Sequence, residues 1–126
     1  MIWIRIFTAF LKVCRMLDKI RMNTLLDFYG GLLTPKQQEI CRFYYREDLS
    51  LTEIAELQQV SRAAVHDSIR RCEKELTHYE EVLKQASLCR KRKKLYDEIE
   101  HAQNQKEIIH LLNLCRETEA EGGNYD

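Results

Sequence analysis

Two helix-start signals close together constrain this chain more than any other feature. Ser50-Leu51-Thr52-Glu53 has the spacing of a reciprocal cap: the Ser hydroxyl accepts from the N–H three residues on, and the Glu side chain reaches back. Ser61 is a second N-cap residue shortly after it. Between the two there is room for one short helix carrying Ile54, Ala55 and Leu57, followed by a three-residue turn, Gln58-Gln59-Val60. From Arg62 the apolar positions Val65, Ile69, Cys72, Leu76, Tyr79 and Leu83 recur every three or four residues, predicting a long helix that nothing stops before about residue 95. Two helices joined by such a turn make the helix-turn-helix layout, with Ala55 suited to the close crossing and Val60, Val65 and Ile69 filling a small core. Turns of this kind usually place Gly before the Val, where φ is positive, and here Gln59 holds that position.

Composition extends the helical reading to the rest of the chain. One Pro and four Gly in 126 residues are too few for a loop-rich β sandwich or a Gly-rich nucleotide loop. The Pro marks another helix start, with Thr34 as N-cap and Pro35 at the first helical position, where its missing N–H costs nothing. That helix is expected to run from Pro35 to about Arg46 and to bury Ile40, Phe43 and Tyr44. Before it, Leu25, Phe28, Tyr29 and Leu32 form one apolar stripe from Thr24 onward. The expected fold class is therefore all-α, a helix-turn-helix bundle with an extended C-terminal helix.

The formal net charge of zero conceals four blocks. Residues 1–22 carry five basic residues and one acidic, and 23–83 carry seven and eleven. Residues 84–94 carry six basic residues and no acid, and 95–126 carry two and eight. Any polyanion contact must therefore be local. The apolar start MIWIRIFTAFLKVCR is interrupted by Arg5, Lys12 and Arg15, so it does not fit a membrane span of about 20 uncharged residues. Lys12 also breaks the apolar run of a signal peptide. Two readings remain: a short amphipathic helix on the domain or on a membrane surface, or an upstream segment preceding a true start at Met16 or Met22.

Nothing in the motifs points to catalysis. There is no phosphate-binding loop, nucleophile elbow, zinc-protease motif or dinucleotide fingerprint, and His66, His78, His101 and His110 have no nucleophile at useful spacing. Cys14, Cys41, Cys72, Cys89 and Cys115 form no CxxC pair, which fits reduced thiols in a cytoplasmic protein without metal or cofactor.

The run LLTPKQQEICRFYYREDLSLTEIAELQQVSRAAVHDSIRRCEKEL resembles the YlxM family of small bacterial proteins, itself similar to region four of sigma factors. The resemblance covers about 16–83, fades past Leu83, and favours Met16 as the start, with 1–15 outside it. It implies a regulatory role in protein targeting, with the signal-recognition-particle GTPase or its RNA as partner. The domain plan that follows is an upstream segment at 1–15, a helix-turn-helix domain at 16–83, and a basic then acidic helical tail at 84–126.

A recognition helix presents its N-terminal side chains to base edges. Here those are Ser61, Arg62, Ala63, His66, Asp67, Arg70 and Arg71. Arg62 and Arg70 suit phosphate or guanine, Ala63 a thymine methyl, and His66 a base acceptor. Against this, residues 61–76 hold four basic residues but also Asp67, Glu73 and Glu75, a weak electrostatic attraction for DNA. The alternatives are thus a DNA-binding regulator and an interaction scaffold. The densest charge lies later, in Lys84, Arg90, Lys91, Arg92, Lys93 and Lys94. This run is either a solvated helix face or a patch for a polyanion such as RNA, or for the acidic tail. Ile108, Leu111, Leu112 and Cys115 form an amphipathic stripe, from which a homodimer is expected, and 119–126 reads as a frayed end.

Overall fold

The computed structural model describes residues 1–121. Its elements are six α-helices: α1 (Ile2–Tyr29), α2 (Pro35–Cys41), α3 (Leu51–Gln58), α4 (Arg62–Leu83), α5 (Gln85–His101) and α6 (Gln105–Glu121). A 3-10 turn, Gly30–Leu32, follows α1, and one π-helical turn, Arg42–Arg46, follows α2. No strand occurs among the described residues, so the all-α expectation holds. The chain divides into two compact units, 1–78 and 79–126. Of the expected frayed end, 122–126 lie outside the described residues.

In the first unit the expected reciprocal cap at Ser50 forms, and the expected N-cap Thr34 is reciprocal as well. The Thr34 hydroxyl accepts from the Gln37 N–H at 3.3 Å while the Gln37 side chain accepts from the Thr34 N–H at 2.9 Å. Ser50 and Glu53 repeat the pattern at 3.2 and 2.7 Å. These hydrogen bonds hold Glu53 below the usual carboxylate range. Gln59 takes φ 52° and ψ 43°, the left-handed turn that the helix-turn-helix demands. A non-Gly residue in that region costs about 1–2 kcal/mol, and Gly loses about 0.5–1 kcal/mol more entropy on folding. Gln59→Gly should therefore stabilise the fold by about 0.5 kcal/mol, whereas a β-branched Val there should cost about 1–2 kcal/mol. Chemical denaturation of the two variants measures both.

The core of this unit joins Met22, Leu25, Leu26 and Tyr29 of α1 with Ile40, Cys41, Ile54, Val65, Ile69, Cys72 and Leu76. Three expectations need correction. The first fifteen residues do not form a separate short helix, since α1 runs unbroken to Tyr29. Phe28 and Leu32 are exposed, and Met22 and Leu26 take their place inside. After α2 the inward aromatic is Tyr45, not Phe43 or Tyr44. The π turn explains this: Glu47 donates to the Arg42 carbonyl five residues back, and the added residue rotates the next side chain inward.

The Tyr45 hydroxyl donates to Glu73 Oε1 at 2.5 Å, and burial together with this carboxylate pushes the phenol well above its ordinary value of 10.0. Cys41 is likewise driven above its ordinary 9.0 by its hydrogen bond to Cys72 and by burial, and the two cysteines form no disulfide. A group whose pKa is raised on folding stabilises the fold below its unfolded value and loses that contribution as pH rises past it. Thermal stability should therefore fall above pH 10 through Tyr45, and Tyr45→Phe should flatten that fall. A melting series across pH 7–11 measures this.

In the second unit the expected continuous helix is broken. Lys84 adopts φ 53° and ψ 19°, which ends α4 at Leu83 and starts α5 at Gln85. Glu80 holds the new first turn, accepting from the Ala86 N–H at 3.2 Å and the Ser87 N–H at 2.9 Å. A carboxylate at that end also opposes the positive pole of the helix. Helices α5 and α6 then form an antiparallel hairpin that buries Ala86, Leu88, Leu111 and Cys115 and places Lys91 Nζ 3.5 Å from Glu121. Leu111 and Cys115, expected on an outward stripe, are thus covered within the unit, while Ile109 and Leu112 stay exposed.

Candidate nucleic-acid interface

Ser61 opens α4 by accepting from the Ala64 N–H at 3.1 Å, so the helix begins where the capping signal places it. Val65, Ile69, Cys72 and Leu76 face inward and fix the rotation of the helix. Helical geometry then directs Ala63, Asp67 and Arg70 outward in line, with Arg62 and His66 on one flank and Arg71 on the other. All seven sequence-identified residues, Ser61 included, are exposed. The second sequence-identified patch lies in the other unit. Lys84 sits at the helix junction and the other five cations on α5, all exposed except the half-buried Arg92.

Counting charges along the sequence understates the cationic character of the α4 face. Of the three acids at 61–76, Glu73 accepts from the Tyr45 hydroxyl and Glu75 accepts from the Gln37 side-chain amide at 3.2 Å. Both are half-buried and directed into the fold. That leaves Asp67 as the exposed acid among Arg62, Arg70, Arg71 and Lys74. Asp67 does not pair with Arg70 or Arg71; it lies beside His66, Nδ1 to Oδ1 at 3.9 Å. Among the described residues Arg62, Arg70 and Arg71 make no ion pair.

Sequence reading also missed cations from α1. A groove of about 620 Å³ is lined by Arg62 together with Lys12, Arg15 and Lys19. Two acids, Glu53 and Asp48, share its walls. Glu53 caps α3, and Asp48 pairs with Lys19, whose hydrogen bond holds that carboxyl below its usual range. Lys19 also lies over the Tyr44 ring, 5.1 Å from its centroid. The available signal was the spacing of Arg5, Thr8, Lys12, Arg15 and Lys19, alternating steps of three and four that put them on one helical face.

Comparison with known proteins agrees with this geometry. A family model described as "Putative helix-turn-helix protein, YlxM / p13 like" matches residues 16–115. That match extends past Leu83 through the basic run and into α6. A UPF0122 protein of Oceanobacillus iheyensis is 53% identical over 85 residues, 67% of this chain and 81% of the relative. One of Listeria innocua is 46% identical over 89 residues, 71% of this chain and 81% of its own. One of Clostridium perfringens is 44% identical over 82 residues, 65% of this chain and 73% of its own. On the capped helices flanking a left-handed Gln59 and on a family match over most of its length, the chain belongs to the UPF0122 family of YlxM/p13-like helix-turn-helix proteins.

Proposed function

We propose that this protein is a non-enzymatic cytoplasmic regulator, acting as a homodimer, that binds duplex DNA through the N-terminal turns of α4. Arg62 and Arg70 contact phosphate or guanine, Ala63 packs on a thymine methyl, His66 donates to a base acceptor, and Asp67 accepts from a cytosine amine. Arg71 and the groove cations Lys12 and Arg15 add backbone neutralisation. The observation that carries this reading is the removal of Glu73 and Glu75 from the exposed face, which leaves cations in excess there. Ile109 and Leu112, exposed on α6, are the apolar residues offered for self-association.

A second reading rests on α5. Arg90, Lys93 and Lys94 are exposed and make no ion pair among the described residues. A cationic helix of this kind suits a polyanion recognised without base specificity. The family resemblance makes the RNA of the signal recognition particle, or the particle's GTPase, the partner to test. Fluorescence anisotropy at about physiological salt with random genomic duplex, particle RNA and the GTPase complex separates the two. Duplex binding that is tighter than RNA binding supports the first reading. Tight particle binding, abolished when 90–94 are neutralised, replaces it with the second.

A further inference from the structure

The N-terminal part of α1 carries an apolar face that DNA binding leaves unused. The helix is 28 residues long, and its first 20 contribute nothing to the buried core. Trp3, Phe7 and Phe10 are 84%, 63% and 63% exposed, and Ile6, Val13 and Leu17 beside them are each at least half exposed. Projected at 100° per residue, Arg5, Thr8, Lys12, Arg15 and Lys19 fall within an arc of about 80°. Three of them, Lys12, Arg15 and Lys19, line the groove beside Arg62. Almost all the remaining circumference from Ile2 to Leu17 is apolar, and its large side chains are exposed. The first 20 residues of this helix are thus an exposed amphipathic segment with a narrow polar stripe and a wide apolar face.

We infer that α1 is a membrane-surface anchor that lies flat in an anionic lipid bilayer and holds the domain at that surface. Three observations select lipid over a second copy of the chain. A helix pair buries a seam of roughly a third of each helix, whereas here about two thirds is apolar, which suits immersion in an acyl layer. Five basic residues and one acid in 1–22 match a negatively charged surface, and Arg5 and Arg15 stand at the polar–apolar borders, where headgroups lie. Trp and Phe on the apolar face are interfacial residues. No helix among the described residues is long and apolar enough to cross a membrane, so the anchor lies on the bilayer and does not span it. The apolar face that carries the inference has no part in the DNA reading, and of the two border cations only Arg15 belongs to both.

Trp3 is the chain's one tryptophan and therefore a built-in probe. The full-length protein should show a blue-shifted, quencher-protected Trp3 emission on addition of vesicles of 30% phosphatidylglycerol in phosphatidylcholine. It should float with them at least tenfold more tightly than with phosphatidylcholine alone. Phe7→Asp/Phe10→Asp should abolish flotation while helicity by circular dichroism persists, because neither ring is part of the core. Arg5→Gln/Arg15→Gln should lose most of the anionic preference but keep residual binding. Absence of any Trp3 shift with the anionic vesicles, or flotation unaffected by Phe7→Asp/Phe10→Asp, would overturn the inference. So would a Trp3 already protected in a lipid-free oligomer, or native protein whose intact mass begins at Met16.

Discussion

Ile54→Ala should lower the stability of the helix-turn-helix unit by about 2–5 kcal/mol, the range for deleting a buried branched side chain and leaving part of its cavity unfilled. Ile54 is completely buried in the first turn of α3, and it is one of the largest wholly enclosed side chains. For a unit of 78 residues, that change lowers the melting temperature by roughly 10 °C or more. Leu57 lies on the same helix but is 60% exposed, so Leu57→Ala should change stability by no more than about 0.5 kcal/mol. Equal effects from the two substitutions would mean that α3 is not packed in this rotation, and the orientation of α4 derived from the same core would fail with it.

Much of this packing can be read from residue order because its signals are local. Ser50 with Glu53, Thr34 with Pro35, and Ser61 each mark a helix start through one side chain and one nearby N–H. The left-handed Gln59 follows from the turn itself. What escaped was set at longer range. The π turn at Arg42–Arg46 adds a residue to a helical repeat that any 3.6-residue pattern assumes to be constant, so Tyr45 replaces Tyr44 inside. The break at Lys84 carries no Gly or Pro; it is stabilised by Glu80 capping residues six and seven positions downstream. The inward turn of Glu73 and Glu75 depends on Tyr45 and Gln37, 28 and 38 residues away, and no count along the sequence reveals it. The candidate residues on α4 were thus legible, whereas the charge balance that makes them effective was not.

That charge balance has a second large consequence. If Arg62 and Arg70 meet DNA, Arg62→Ala/Arg70→Ala should weaken duplex binding by about 10- to 100-fold or more, since each good base contact contributes about 1–3 kcal/mol of discrimination. Both residues are exposed and make no ion pair among the described residues, so the fold should be unchanged. Neutralising Arg90, Lys91, Arg92, Lys93 and Lys94 should leave duplex affinity within about twofold, because those cations belong to another helix and another unit.

The most direct measurement is the salt dependence of duplex binding, followed by anisotropy with the full-length protein, Arg62→Ala and the neutralised 90–94 variant. Deleting a cation that neutralises one phosphate lowers the slope of log affinity against log salt by about one unit. Arg62→Ala is expected to lose affinity and about one unit of slope, while the 90–94 variant matches the unaltered protein. An unchanged slope in Arg62→Ala, with binding abolished by neutralising 90–94, would contradict binding through α4 and assign the polyanion to α5.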